Sequence, residues 1–311
     1  MTSKTTFRSN GKLLLSGEYM VLYGAAALAI PTSRGQELTV ETDPGTFAGD
    51  FEWITTVENQ EIYKARFDGA GRAKEQGNDE FTANLEELFC CILEEKGQDF
   101  LMNQGLIRLS SNVEFPLDWG LGSSSTLVNN LAQWTGMHAF YLNKKVFGGS
   151  GYDIACASSQ LAIEYRLELE QPIWEEYNFM PPFSNQLYFI HLNRKQNSRE
   201  GIAVIQAREG GINGELIEEI TVLAQRMRNA MSIGEFEECL TEHEGIIGRL
   251  TGLKPIKQDK FADFNGAVKS LGAWGGDFVL ATGSYSEMDY FRELGFTTII
   301  AFKDMILNYK A

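Results

Sequence analysis

The feature that most restricts the fold of this chain is a turn rich in glycine and serine that leads directly into an amphipathic helix. The turn reads Pro116-Leu117-Asp118-Trp119-Gly120-Leu121-Gly122-Ser123-Ser124-Ser125. The apolar stripe of the predicted helix consists of Leu127, Val128, Leu131, Trp134, Met137 and Tyr141. Glycines let the backbone approach a phosphate closely, and the free N–H groups at a helix start carry partial positive charge. The pattern predicts an anion site in which Ser123 or Ser124 caps the helix or binds a phosphate or its magnesium ion; the alternative is an ordinary turn with a serine cap.

Three better-known motifs do not fit this chain. A P-loop ending at Gly11-Lys12 requires a glycine at position 6, where the chain has Thr6. The dinucleotide-binding fingerprint fails because three serines follow Gly122 where the motif requires a further glycine. A nucleophile elbow fails because Thr126 stands where its second glycine belongs. The turn therefore belongs to none of these classes.

Net charge and cysteine usage exclude several classes of protein. The formal net charge is −15, from 27 Lys and Arg against 42 Asp and Glu, so no nucleic-acid partner is expected. The four cysteines fit neither a disulfide framework nor a zinc-ligand spacing, which indicates a reducing, cytoplasmic setting. No apolar run approaches the roughly 20 residues of a membrane span, so no membrane partner is expected. The three histidines form no HExxH motif and are interpreted as structural.

The length of 311 residues suits about two domains of roughly 150 residues each. The prolines of residues 171–185 discourage a continuous element, so this stretch is the predicted linker, with the domain boundary between residues 175 and 176. Strands are predicted at 12–16, 37–42, 51–57, 61–67, 106–113, 186–192, 278–282 and 297–302. Helices are predicted at 79–96, from the glycine turn to Tyr141, from about Asp153, and at 214–231, 235–250 and 258–271. Runs of strands followed by runs of helices in each half predict two α+β domains.

Three further glycine-bearing stretches hold candidate chemistry. The first, residues 9–19, places Lys12 at the start of a short strand and Glu18 just after it; a solvated edge-strand lysine is the structural alternative. The second, residues 148–153, places Asp153 at the start of a helix, where an aspartate is also favoured merely as a cap. The third, residues 269–277, is a glycine loop before a strand and by itself is only a turn.

In this order the four stretches resemble the motifs of the GHMP kinases, the superfamily of galactokinase, homoserine kinase, mevalonate kinase and phosphomevalonate kinase. The match extends from Gly11 to about Leu280 and so covers nearly the whole chain. Gly11-Lys12 falls in the first motif, Pro116 to Ser125 in the second and Gly272 to Gly276 in the third, and Asp153 ends the aspartate region. Gly275-Gly276-Asp277 and Gly17-Glu18-Tyr19 are more similar to phosphomevalonate kinases, since mevalonate kinases usually have His at the position of Tyr19.

The resemblance implies a fold and a set of roles. It implies an N-terminal ATP-binding α+β domain (1–175) with a left-handed β-α-β crossover, a ferredoxin-like C-terminal domain (176–311), and an active site between them. Asp153 is expected to act on the acceptor hydroxyl as general base or electrostatic guide, and Lys12 to keep it ionised and to stabilise the developing charge. Ser124 is expected to bind Mg²⁺. The backbone expected to bind the ATP phosphates is that of Gly120, Leu121, Gly122, Ser123, Ser124 and Ser125. The expected substrate-binding residues are Glu18, Tyr19, Gly272, Ala273, Gly275 and Gly276.

The chain departs from the family pattern at three places. Mevalonate-type kinases usually offer a glutamate to magnesium between the second motif and the aspartate, yet residues 126–151 contain no acidic residue. Trp274 stands where the third motif generally has glycine, so its bulk is expected to narrow the loop or cover a pocket. Ser9-Asn10 replaces the usual Ala-Pro before Gly11-Lys12.

The function implied by the resemblance is an ATP-dependent kinase for a small molecule. The expected acceptors are mevalonate or phosphomevalonate, in isoprenoid precursor synthesis. The expected cofactors are ATP and Mg²⁺. Whether the chain forms a homodimer is left open. Two alternatives stay open: a homologue that binds a nucleotide or metabolite without turnover, and an enzyme like diphosphomevalonate decarboxylase.

Overall fold

A computed structural model of the chain describes residues 2–43, 49–74, 79–194, 201, 205, 212–272, 274 and 276–307. The chain divides into two compact units. The first unit comprises Met1–Gly11, Arg34–Leu117 and Gly122–Ser158, and the second comprises Lys12–Ser33, Asp118–Leu121 and Ser159–Ala311. Each unit combines paired strands with helices, which confirms the predicted α+β class.

The strands of the first unit are arranged around β3 (Asp50–Val57). β3 forms an antiparallel hairpin with β4 (Gln60–Asp68) and lies parallel to β5 (Leu106–Val113). β5 also pairs antiparallel with Gln36–Thr42, the end of the long strand β2 (Ala27–Thr42). A parallel pair requires a crossover connection, and two helices lie in the segment between β4 and β5. The remaining elements are β1 (Ser3–Ser16), β2 (Ala27–Thr42), α1 (Glu80–Lys96), α2 (Phe100–Asn103), α3 (Ser123–Thr135), α4 (Ala139–Val146) and α5 (Tyr152–Ser158).

Helix α1 shows how local sequence sets an element of this unit. The side chain of Asp79 accepts a hydrogen bond from the backbone N–H of Thr82, and Gly97 ends the helix with a positive φ of 98°. Phe89, on its apolar face, packs edge-on against Trp53 and Phe67, with ring centroids 5.9 and 5.3 Å apart. The helix therefore begins and ends where its caps predict, and its apolar stripe covers the sheet.

The second unit contains a four-stranded antiparallel sheet in the order β11-β8-β10-β9. These strands are β8 (Leu187–His191), β9 (Val268–Ser270), β10 (Phe278–Thr282) and β11 (Ile299–Ala301). β6 (Ala162–Glu168) pairs with β7 (Gln171–Tyr177) and with Ala27–Ala29 of β2. The helices are α6 (Gly214–Asn229), α7 (Ile233–Thr251), α8 (Ile256–Lys260), α9 (Asp289–Glu293) and α10 (Phe302–Met305). All five residues of both β8 and β10 are buried, as expected of central strands covered on both faces.

Three predicted elements are wrong. The predicted linker contains β7, which tolerates Pro172 because it is the terminal strand of its strand order and needs no N–H donor on its open side. The predicted helix at 258–271 is only the short α8, because Val268–Ser270 pairs with β10 instead. The helix after the glycine turn ends at Thr135, since Gly136 adopts φ +66°, and α4 begins separately at Ala139.

The domain boundary at residue 175 stays a prediction. The two compact units do not correspond to a single cut, because β1 and β2 each contribute residues to both. Among the residues that the structure describes, none of the helices is both long and apolar enough to span a membrane.

Candidate active site

The glycine turn adopts the backbone conformation that its glycines permit. Gly120 and Gly122 have φ values of +64° and +88°, a region that residues with a side chain rarely enter. Helix α3 begins at Ser123, directly after Gly122, and in the described part of the chain no side chain caps it. The hydroxyl of Ser125 instead donates to the carbonyl of Gly122 at 2.8 Å. The serine-cap interpretation is therefore wrong, and the first N–H groups of α3 keep their capacity to bind an acceptor.

Lys12 lies on this turn. Its Nζ donates to the carbonyl oxygen of Gly120 at 2.8 Å, and its backbone N–H donates to the carbonyl of Leu121 at 2.9 Å. The side chain is half-buried, so it is not the fully solvated edge lysine of the alternative interpretation. A cation thus contacts the turn that the sequence predicts to bind an anion.

Aromatic side chains hold the turn in place. The indole of Trp119 packs edge-on against Phe278, with ring centroids 5.3 Å apart, and lies 6.2 Å from the ring of His191. His191 Nε2 in turn lies 3.1 Å from the carbonyl oxygen of Asp118. These contacts fix residues 118–121 against β8 and β10 within the second unit, which is the preorganisation that a binding loop requires.

Asp153 occupies the second position of α5, in the first unit. Its Oδ1 accepts the backbone N–H of Ile154 at 3.0 Å, and the side chain is half-buried. Gly151 immediately before the helix has φ +83°, which allows the sharp turn into α5. The carboxylate thus lies in the first turn of α5.

Glu18 is turned inward, away from solvent. Its side chain is 1% exposed, its Oε1 accepts a hydrogen bond from Nζ of the fully buried Lys269, and its Oε2 lies 3.2 Å from Nε2 of His243. The same Nε2 accepts the backbone N–H of Gly17 at 3.1 Å, which places the imidazole proton on Nδ1. Burial raises the pKa of Glu18, and the charge of Lys269 opposes that rise. The carboxylate therefore anchors the segment after β1.

Two further titratable groups of α7 belong to this buried cluster. Burial lowers the pKa of His243 well below its usual value, so the imidazole is neutral. Glu244 accepts the backbone N–H groups of Ser270 and Ile256, each at 3.0 Å, and burial raises its pKa to about 7. We call Glu18, His243, Glu244 and Lys269 the buried charge cluster.

Tyr19 and the third glycine loop meet in the second unit. Tyr19 has φ +60°, a strained conformation for a bulky residue, and its hydroxyl accepts the backbone N–H of Trp274 at 3.1 Å. The indole of Trp274 is 3% exposed, so its bulk fills the interior of the unit. Gly272 (φ +68°) and Gly276 belong to the same loop, while Ala273 and Gly275, also predicted to bind substrate, lie outside the described residues.

Sequence reasoning missed the buried charge cluster apart from Glu18. The predicted helix at 258–271 places Lys269 on a helix surface, whereas β9 buries it completely. The one available signal is a lysine within the otherwise apolar or small stretch from Ala267 to Leu271. His243 and Glu244 gave no such signal, because charged and polar residues surround them in the sequence.

The donor set fits a metal ion that arrives on a nucleotide rather than one caged by protein. Among the described residues, no group of three or more His, Cys, Asp or Glu side chains is placed to hold a metal. Magnesium bound with a nucleotide takes most of its ligands from phosphates and water and needs only one or two from the protein. The exposed hydroxyl of Ser124, in the first turn of α3, is compatible with that role.

Comparison with known proteins identifies the fold. No family model and no curated protein matches the chain. Among solved structures, the chain is similar to the mevalonate kinase of Methanococcus jannaschii at 16% identity, covering 96% of each chain with a TM-score of 0.67. It is similar to Lactococcus lactis galactokinase complexed with galactose at 15% identity, covering 98% of this chain and 94% of that one with a TM-score of 0.67. It is also similar to Streptococcus pneumoniae phosphomevalonate kinase, in complex with phosphomevalonate and AMPPNP, at 15% identity, covering 98% of each chain with a TM-score of 0.64. The chain therefore shares the fold of these kinases, which confirms the fold that the resemblance implies.

Proposed function

We propose that this chain is an ATP- and Mg²⁺-dependent kinase that transfers the γ-phosphoryl group to a small alcohol or phosphate acceptor. Mevalonate and phosphomevalonate are the acceptors that the fold neighbours suggest. The observation that carries the proposal is the contact of Lys12 Nζ with the Gly120 carbonyl, in a left-handed glycine turn that opens α3 without a side-chain cap. A cation, free backbone N–H groups and a helix N-terminus together suit a polyphosphate.

In this proposal the backbone of residues 120–125 would bind the ATP phosphates, and the Ser124 hydroxyl would be a ligand of the magnesium ion. When bound, the ion would neutralise the negative charge of the phosphates, both before the transfer and as further charge develops in the transition state. An acidic protein needs no basic surface for this purpose, because backbone dipoles and one lysine supply the local positive potential. This accounts for a nucleotide partner in a chain with a net charge of −15.

Two side chains act on the transfer step. The acceptor oxygen forms a bond to the γ-phosphorus, the bond between that phosphorus and the β,γ-bridging oxygen breaks, and ADP leaves with the bond electrons. Asp153 takes the proton of the acceptor hydroxyl and later releases it to solvent. Lys12 stabilises the negative charge that builds up on the transferred group. Positioning and charge stabilisation provide most of the acceleration in such reactions, so this small set of groups is sufficient.

The acceptor is assigned to Tyr19 and to the third loop: Gly272, Ala273, Gly275 and Gly276. Glu18 acts on the acceptor indirectly in this proposal, because its carboxylate is buried against Lys269. It is a positioning residue that holds the strained backbone of Tyr19.

The test is a substrate panel with ATP and Mg²⁺, containing mevalonate, phosphomevalonate, homoserine and sugars, with ADP and phosphorylated product measured. We expect one acceptor to be phosphorylated, and Asp153→Asn to lower kcat about 100-fold or more, the usual effect of losing a general base. Lys12→Met should cause a loss of similar size. Asp99→Asn and Lys303→Met, which alter exposed side chains, are the matched controls.

Two outcomes would replace the proposal. Binding of ATP by calorimetry without product from any acceptor identifies a binding homologue that lacks turnover. Release of CO₂ from diphosphomevalonate, together with ADP, identifies a decarboxylase. Full activity of Asp153→Asn with a confirmed substrate removes Asp153 from the chemistry.

A further inference from the structure

Helix α3 buries polar side chains on the face that it turns toward the sheet of the first unit. Thr126, Asn129 and Asn130 have exposed fractions of 0%, 6% and 0%. Asparagine and threonine are weaker helix formers than leucine or alanine, and a buried amide without hydrogen-bond partners is costly. These side chains therefore need partners on the neighbouring strands.

Ser9 of β1 is the partner of both asparagines. Its hydroxyl donates to Asn130 Oδ1 at 2.6 Å and accepts a hydrogen bond from Asn129 Nδ2 at 2.9 Å. Gln133 Nε2 donates to the same oxygen at 3.3 Å, so the one donor and two acceptor positions of the hydroxyl are all used. Alanine at this position could form none of these bonds, which gives the departure from the family pattern at Ser9 a structural consequence.

Gln36 of β2 connects the sheet to the first turn of α3. Its Oε1 accepts the hydroxyl of Thr126 at 2.5 Å, and its backbone carbonyl accepts Asn130 Nδ2 at 2.9 Å. Its Nε2 donates to the hydroxyl of Ser111 on β5 at 2.6 Å, which fixes the amide from the other side. The Thr126 hydroxyl also lies within 3.1 Å of two main-chain carbonyl oxygens at the start of its own helix. We call Ser9, Gln36, Ser111, Thr126, Asn129 and Asn130 the α3 network.

The α3 network fixes the position of the helix more precisely than apolar packing does. All its members belong to the first unit. Apolar contacts are not directional, whereas hydrogen bonds are, so the bonds to β1 and β2 oppose both rotation of α3 and its movement along its axis. A buried polar network in which every member has a partner makes a structure rigid and specific. This rigidity lies next to the uncapped start of α3, whose N–H groups the proposed function assigns to phosphate.

We propose that Ser9 and Gln36 are positioning residues for nucleotide binding, which act through Thr126 and Asn130 to hold the first turn of α3 where its N–H groups meet the phosphates. The inference rests on the proposed function and adds to it side chains that touch neither the nucleotide nor the acceptor. Each of the four is at most 3% exposed, so direct contact with a ligand does not explain them. A network that only stabilised the fold would affect unfolding without a selective effect on the nucleotide.

The test compares two replacements of Thr126 by their affinity for AMPPNP, an ATP analogue, measured by calorimetry with Mg²⁺. Valine keeps nearly the shape of threonine without its hydroxyl, and Thr126→Val should weaken binding about 10-fold, as losses of a supporting hydrogen bond do elsewhere. Thr126→Ser keeps the hydroxyl and should bind as tightly as the wild type. Ser9→Ala, which alters the network away from the turn, should weaken AMPPNP binding like Thr126→Val. In turnover, both weakened variants should raise KM for ATP and leave KM for the acceptor unchanged.

Thr135→Val is the matched control. Thr135 is also buried in α3, but its hydroxyl donates to the carbonyl of Leu131 in its own helix at 2.8 Å, so this variant should keep the wild-type affinity for AMPPNP. Wild-type affinity in Thr126→Val and Ser9→Ala would overturn the inference, even if their melting temperatures fall. Equal weakening by Thr126→Val and by either Thr126→Ser or Thr135→Val would overturn it as well. If the wild type binds no AMPPNP, the proposed function itself fails.

Discussion

The hydroxyl of Tyr19 accepts a hydrogen bond from the backbone N–H of Trp274, 3.1 Å away. These residues occupy two positions at which the chain departs from the mevalonate kinase pattern, and both are buried, with exposed fractions of 8% and 3%. Because Tyr19 binds the backbone of Trp274, the two departures support each other. Gly17 and Glu18, the two residues before Tyr19, both contact His243 of the buried charge cluster, and these contacts hold the backbone next to the strained φ of Tyr19.

Replacing Tyr19 with phenylalanine should destabilise the protein by about 1–3 kcal/mol, because the buried N–H of Trp274 loses its acceptor. It should also raise KM for the acceptor more than it lowers kcat, since the change loosens the loop and leaves Asp153 and Lys12 intact. Urea unfolding and steady-state kinetics measure the two effects. Tyr285→Phe, at a side chain that is 69% exposed, is the matched control and should change neither value. Equal behaviour of the two variants would contradict the assigned role of the hydroxyl.

Replacing Lys269 with methionine should lower the free energy of unfolding by about 3–5 kcal/mol, because Glu18 is left as a buried charge without its partner. The loss should be smaller at pH 5 than at pH 8, since a protonated Glu18 needs no cation. The double variant Glu18→Met/Lys269→Met should be more stable than Lys269→Met alone. Lys303→Met is the exposed control. A double variant less stable than the single one would show that the ion pair does not explain the loss.

The stability of the protein should depend on pH through Glu244. Burial raises its pKa from 4.5 to about 7, so the folded state binds this proton more tightly than the unfolded chain does. The contribution is fully present below pH 4.5 and is lost as the pH rises through about 7, by on the order of 3 kcal/mol in total. The charges of two neighbours also act on the pKa of Glu244: Lys269 lowers it and Glu18 raises it.

The check is the free energy of unfolding of the wild type and of Glu244→Gln from pH 4.5 to 8. The glutamine of Glu244→Gln does not titrate, so the wild type should lose stability relative to this variant as the pH rises from 4.5 to 8. Parallel curves would assign the pH dependence to another group of the cluster.

Replacing Gly17 with alanine should destabilise the protein by more than about 3 kcal/mol. Gly17 has φ +87°, and a Cβ atom there would lie 2.7 Å from Cα of Ala27. Gly97 has a similar φ of +98° with nothing within 4 Å of such a Cβ, so Gly97→Ala should cost only the backbone strain, about 1–3 kcal/mol, and less than Gly17→Ala. Thermal or urea unfolding compares the two variants, and equal losses would mean that the close approach of Ala27 has no energetic effect.

Much of the local structure follows from short-range signals. Asp79 and Gly97 set the ends of α1, and the glycines of the turn at 116–125 set the start of α3, because capping and positive φ depend on neighbouring residues alone. The prediction failed at 258–271, where pairing with β10 overrides the helical pattern. It also failed at β7, where the edge position makes Pro172 acceptable.

The sequence by itself determined the α+β class and nominated the glycine turn, Lys12 and Asp153 as candidate groups, because these inferences rest on local patterns and on side-chain chemistry. Only the tertiary structure decided that Glu18 is paired with Lys269, 251 residues later, that Tyr19 binds the backbone of Trp274, and that Asp277 lies on Gly120. The physical reason is that burial and charge pairing depend on which distant segments the sheet brings together. An aspartate or glutamate looks the same in the sequence whether its carboxylate lies in solvent, beside a lysine or against a glycine turn.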